Sequence, residues 1–159
     1  MKKQLALLAI MVIFPFTSCN KESIDSSEIE GSWGIIHEEG WRKENGRIVD
    51  EYSYDSNPFN PSSDEDFKID FINTDGDKYL ISNYHWDPKT AKWKKEDSQI
   101  VTIKNGRISS EDSDESSTIT IQSDRMTIEG RTKYIDDKSK VEVEVYGKMV
   151  LRKMSSLAE

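Results

Sequence analysis

The chain of 159 residues has one cysteine, two histidines and four prolines, and beyond its first twenty residues it has no long apolar run. A single cysteine, Cys19, excludes an internal disulfide framework, because a bridge needs two thiols. The two histidines, His37 and His85, leave little material for acid–base catalysis, and no local Ser, His and acid set can be assembled around either. The lack of a later apolar stretch of about 20 residues excludes a membrane-spanning helix in the body of the chain. Positive charge is also scarce: 22 Lys and Arg stand against 30 Asp and Glu, a net charge of −8. That balance argues against nucleic acid and against electrostatic attraction to anionic lipid. No cofactor is expected and no enzymatic activity is read from the residues.

What is present begins at the N-terminus. Lys2 and Lys3 precede an apolar run over residues 5–16, broken at Pro15 and followed by small polar residues, the order of an export signal. The run is too short for a permanent span. Phe16-Thr17-Ser18-Cys19 then resembles the lipobox of bacterial lipoproteins, with Phe16 in place of the usual leucine. The resemblance implies cleavage after Ser18, acylation of Cys19, and a protein held at the membrane by that anchor. More than one acyl chain is needed for a firm hold. Asn20 is not the aspartate associated in some bacteria with inner-membrane retention, so the expected location is the outer membrane of the envelope. Residues 20–30 are polar apart from two isolated isoleucines and read as a tether. The expected organisation is a signal peptide over 1–18, an acylated cysteine and tether over 19–30, a folded domain over 31–153 and a tail over 154–159.

Within 31–153 no helical apolar periodicity stands out, whereas period-two alternation recurs between turn residues. Phe67, Ile69 and Phe71 point one way and Lys68 and Asp70 the other. Val141, Val143, Val145, Met149 and Leu151 likewise oppose Glu142, Glu144, Lys148 and Arg152. Asn45-Gly46, Asp75-Gly76 and Asn105-Gly106 read as tight hairpin turns, because both central positions tolerate positive φ. Residues 136–139 supply a fourth. Two polar stretches, 55–65 with Pro58 and Pro61, and 109–117 with its acids and serines, read as long loops. The class is all-β, an antiparallel meander of roughly eight to ten strands forming a barrel or sandwich.

Gly31-Ser32-Trp33 opens the first strand and resembles the Gly-x-Trp signature that begins lipocalins. Together with the lipobox, the short tether and the closing segment Met149-Val150-Leu151-Arg152-Lys153, it resembles the small bacterial lipocalin-like lipoproteins. The resemblance implies a lipocalin-like barrel closed by Gly31 and Trp33, with Arg152 as the basic partner of the indole. No Thr-Asp-x-x-Tyr segment and no helix before the last strand is evident, which departs from better-known lipocalins.

A barrel of about eight strands either fills with side chains or holds one small ligand. Phe67, Phe71, Tyr79, His85 and Tyr134 are the candidate ligand-lining residues, Trp33 a further interior one. Trp41, Trp86 and Trp93 sit beside turns or charges, where a ring could stack on a sugar or a partner. Asp75, Asp77 and the run Glu111, Asp112, Asp114, Glu115 offer oxygen atoms to calcium, but without the spacing of a calcium loop, so no metal site is assigned. Two functions follow: a small apolar or amphipathic ligand bound in a monomeric barrel, or a filled barrel that meets an envelope protein partner, as accessory subunit or inhibitor, through its outer surface and loops.

Overall fold

The computed structural model describes residues 24–110 and 116–154. Cys19 and the segment before it, the acids at 111, 112, 114 and 115, and residues 155–159 lie outside the described residues. A one-turn helix α1 (Ser26–Ile29) precedes nine strands: β1 (Gly31–Glu44), β2 (Arg47–Asp55), β3 (Phe67–Asp75), β4 (Lys78–Asp87), β5 (Lys92–Lys104), β6 (Arg107–Ser110), β7 (Ser116–Gln122), β8 (Arg125–Ile135) and β9 (Glu142–Lys153). Each strand from β3 to β9 pairs antiparallel with the next, and β9 returns to β1 from Trp33 opposite Lys153 to Glu44 opposite Val143. β1 and β3–β9 therefore close an eight-stranded barrel. β2 stands outside the ring, paired to β1 alone.

One irregularity sets the geometry of the mouth. β1 pairs with β3 through Gly31–Gly34 and with β2 through His37–Glu44, on the same edge. The exchange occurs at a bulge against β9: Ile35 faces Leu151 and His37 faces Val150, leaving Ile36 as the extra residue. A bulge bends the strand and, because side chains alternate with period two, reverses which of them face inward beyond it. Ser56 fastens the end of β2 there, its N–H donating to the Ile36 carbonyl at 3.2 Å and its hydroxyl to the Ile35 carbonyl.

The turns follow from local chemistry. Asn45-Gly46 and Asn105-Gly106 have φ of 48° and 79°, and 52° and 70°, all in the left-handed region that Asn and Gly tolerate. The third hairpin departs from expectation by one residue. Asp75 still pairs with Lys78, so the turn is Gly76-Asp77, behind a bulge between Asn73 and Asp75. Asn73 Nδ2, donating to the Gly76 carbonyl at 2.8 Å, holds that offset. Residues 109–110 and 116–117, expected in a loop, are strand. The long β2–β3 loop is tied to one carboxylate: Asp66, 5% exposed, accepts from the N–H groups of Asn57, Ser62 and Ser63 at 3.0, 2.8 and 3.1 Å. Burial pushes that carboxyl up, yet the three N–H groups together hold it below its usual value. Pro58 from the same loop is buried where a side chain at Gly34 would stand.

The closed end of the barrel is filled with apolar side chains. Trp33, Met126 and Leu151 are fully buried there, beside Phe71, Ile103 and Ile119. Across it lies α1, whose start is fixed by a capping box: Ser27 N–H donates to Asp25 at 3.0 Å and Asp25 N–H to Glu28 at 3.3 Å. Ile29 is 1% exposed, Ile24 packs against the same cluster, and the Trp33 indole N–H donates to the Ile29 carbonyl at 2.8 Å. Residues 24–30, expected as part of a tether, are thus folded against the barrel, with Ile29 in the core and Ile24 packed against it. Removing a fully buried Trp side chain costs about 3–5 kcal/mol, so this plug is a large share of the stability of a small domain.

The basic partner of Trp33 is Lys153, whose Nζ lies 5.2 Å from the ring centroid. Arg152 is not that partner. Alternation along β9 turns Leu151 and Lys153 inward and Arg152 outward, where it binds Asp124 at 2.8 Å and lies over Phe59.

Candidate binding cavity

Above the plug the barrel is hollow. A cavity of about 570 Å³ is floored by Ile69, Phe71, Ile81, Val101, Ile128 and Met149, and its upper wall is polar, with Glu38, Tyr54, Asn83, Glu96, Gln99 and a group of serines. Volume and lining are those of a small-molecule site: apolar surface for the body of a ligand, a few polar groups to orient it.

Glu38 reaches the interior because of the Ile36 bulge. Uninterrupted alternation from Trp33 and Ile35 would turn His37 inward; with the extra residue, Glu38 and Gly40 take that face. Two tyrosines of β2 bend over the carboxylate: Tyr54 Oη donates to Glu38 Oε2 at 2.7 Å and Tyr52 Oη to Oε1 at 3.3 Å, the rings stacked 5.9 Å apart. Burial of the hydroxyl ends, reinforced by Glu38, pushes both phenols above their ordinary value of 10. Space for Tyr52 comes from Gly40, the first of a row of glycines in which Gly40 faces Gly147 and Gly147 faces Gly130. A Cβ at Gly40 would stand 2.7 Å from Tyr52 Oη. A recess of about 300 Å³ beside Tyr52 borders Gly130 and Gly147 and shares Glu38, Ser117, Ile128 and Met149 with the main cavity.

Of the residues expected to line a site, Phe67 and Phe71 do. Tyr79, 3% exposed, packs in the core instead of against the cavity. Tyr134 is 45% exposed near the tip of β8, beyond the hollow, so it does not line it. His85 is not part of the lining; its Nδ1 lies 3.0 Å from Oε1 of Glu96, which is. His37 faces outward to Asp55 at 2.7 Å, a bond that raises its pKa above 6.5. Sequence reasoning missed Glu38, Tyr52 and Tyr54. Tyr52 and Tyr54 alternate in residues 47–55, but nothing local marks the strand as folding over a barrel mouth.

The other aromatics pair with one another on the outside. Trp41 stacks on Tyr146 at 5.6 Å, with Lys43 4.0 Å from its centroid, and Trp86 meets Trp93 edge-on at 5.4 Å. Among the described residues no three His, Cys, Asp or Glu side chains come together as a metal would need. Asp77 is engaged by Lys104 at 3.2 Å.

Eight antiparallel strands in up-and-down order, the first closing on the last, enclose one cavity above a Gly-x-Trp plug. The barrel is lipocalin-like. A solved structure described as the siderocalin Ex-FABP, which functions through dual ligand specificities, is similar over 82% of this chain and 73% of that one, at 10% identity and a TM-score of 0.46. No protein-family model matches the chain, and no curated protein matches it.

Proposed function

We propose that the protein is a lipid-anchored envelope lipoprotein whose barrel binds one small amphipathic molecule and does not turn it over. The cavity of about 570 Å³ carries this reading: it falls within the roughly 300–1,000 Å³ of small-molecule sites, and a filled barrel would have had no such space. Its apolar floor takes a hydrocarbon body and its polar wall orients a head group.

The anchor rests on the order of the sequence, Lys2 and Lys3, the apolar run and the lipobox-like residues ending at Cys19. Since α1 covers the plugged end and Cys19 lies five positions before Ile24, covalent reach keeps that end within about 18 Å of the acylated residue. The mouth, at the other end, faces away from the anchoring membrane. A second reading draws on β2, whose outer edge is unpaired among the described residues and which exposes Ile48 and Val49: an added strand of a protein partner fits there.

Native mass spectrometry of the full chain purified from the membranes of its own host tests both parts. The expected spectrum carries diacylglyceryl mass on Cys19 and a copurifying small molecule. Bare protein recovered repeatedly would transfer the function to the β2 edge, and unmodified Cys19 would overturn the anchor.

A further inference from the structure

We infer that the head group received by this cavity is a cation, in the class of long-chain amines, and not the carboxylate of a fatty acid. The inference rests on the binding reading above and deepens it. It comes from a charge inventory of the lining, which includes four charged side chains: Glu38, Glu96, Lys68 and Arg131.

The two cations are already committed to carboxylates that are not part of the lining. Lys68 Nζ bonds both oxygens of Asp70, at 3.0 and 3.2 Å, and lies 4.4 Å from the Tyr84 centroid. Arg131 holds Glu144 through Nε at 2.6 Å and through its terminal nitrogen at 2.5 Å. Each is thus already paired, and an anionic head would have to share it with a protein carboxylate. Glu38 is in the opposite position. Among the described residues its carboxylate accepts from two phenols, which orient it without neutralising it. A carboxylate offers about four acceptor sites, so two remain for an incoming N–H. Glu96 adds a second negative charge across the cavity, with His85 as its neighbour.

A carboxylate ligand would bring a third anion beside Glu38 and Glu96, a like-charge contact with no free cation among the described lining residues to offset it. An ammonium reverses the sign. It forms a charge-assisted hydrogen bond with Glu38, and the paired faces of Tyr52 and Tyr54 favour a cation beside them. The tail then extends over Ile69, Ile81 and Ile128.

Calorimetric titration of the full chain with dodecylammonium and dodecanoate below their micelle concentrations, and with dodecanol below its solubility limit, reads the head group at constant tail. The expected order is dodecylammonium tighter than dodecanol by about tenfold or more, with dodecanoate weakest. Glu38→Gln should erase the cation preference while dodecanol affinity stays, and Asp137→Asn, removing a fully exposed charge at the β8–β9 turn, should preserve it. Butylammonium, the same head on a short tail, should bind far more weakly. Dodecanoate binding as tightly as the amine, butylammonium matching it, or a preference that survives Glu38→Gln would each overturn the inference and leave the binding reading standing. Failure of all three dodecyl probes would overturn the binding reading itself.

Discussion

Lys153 holds its ammonium 5.2 Å from the centroid of the Trp33 indole and 3.3 Å from the Glu28 carbonyl at the end of α1. One side chain thus joins plug and lid, satisfying a helix-end carbonyl while lying on an aromatic face. Lys153→Ala is expected to cost about 1 kcal/mol in urea denaturation and to move the ¹⁹F resonance of fluorotryptophan at position 33. Arg152→Ala breaks an exposed pair with Asp124 and a contact with the Phe59 ring, together worth about 1 kcal/mol, and should leave that resonance in place. Movement with Arg152→Ala and not with Lys153→Ala would reject the assignment.

Gly40 and Gly147 face each other across β1 and β9, yet they should respond differently to the same substitution. A Cβ at Gly40 meets the Tyr146 carbonyl at 2.6 Å and Tyr52 Oη at 2.7 Å, whereas at Gly147 the nearest atom is 3.8 Å away. Gly40→Ala should destabilise by about 1–3 kcal/mol and expel Tyr52 from the mouth. Gly147→Ala should be nearly silent in thermal melts. Equal losses at the two positions would contradict this packing.

Asp66 organises the β2–β3 loop through three backbone N–H groups. Asp66→Ala strands these donors and should cost about 2–3 kcal/mol at neutral pH. Because the folded carboxyl lies below its ordinary value of 3.8, its contribution is present above that pH and lost as pH falls through the folded midpoint. Wild-type and variant melts should therefore converge in strong acid; a constant gap down to that range would contradict the role.

His37 behaves with the opposite sign. The bond to Asp55 raises its pKa above 6.5, with Glu39 3.6 Å away on the other ring nitrogen. Its stabilisation is complete below about 6.5 and disappears as pH rises through the folded midpoint. NMR titration should place that midpoint above 6.5, and Asp55→Asn should lower it. An unchanged midpoint in the variant would show that Asp55 is not the cause.

The hairpins were legible because their signals are local. Alternation in residues 67–71 and the positive φ of Asn-Gly pairs need no knowledge of neighbours. The lid over the plug also had a local mark, the Asp25 and Glu28 capping spacing, hidden by polar surroundings that resemble a tether. Lys153 could be reached by counting the face of β9 outward from Leu151, which already places Arg152 on the wrong side. Glu38 could not be found that way. Its inward direction depends on a bulge at Ile36, which exists because β1 changes partner from β3 to β2, and partner choice is a property of the closed barrel. The same holds for Tyr52 and Tyr54, whose function appears only where β2 folds over the mouth.

The central claim, that the hollow interior is where a small molecule binds, is tested most directly by methyl NMR of the protein titrated with dodecanol. Contacts should appear between the alkyl chain and the methyl groups of Ile81, Val101 and Ile128 on the floor, while Ile48 and Val49 on the outer strand remain unchanged. Perturbations confined to Ile48 and Val49, with the floor methyls unmoved at saturation, would contradict it.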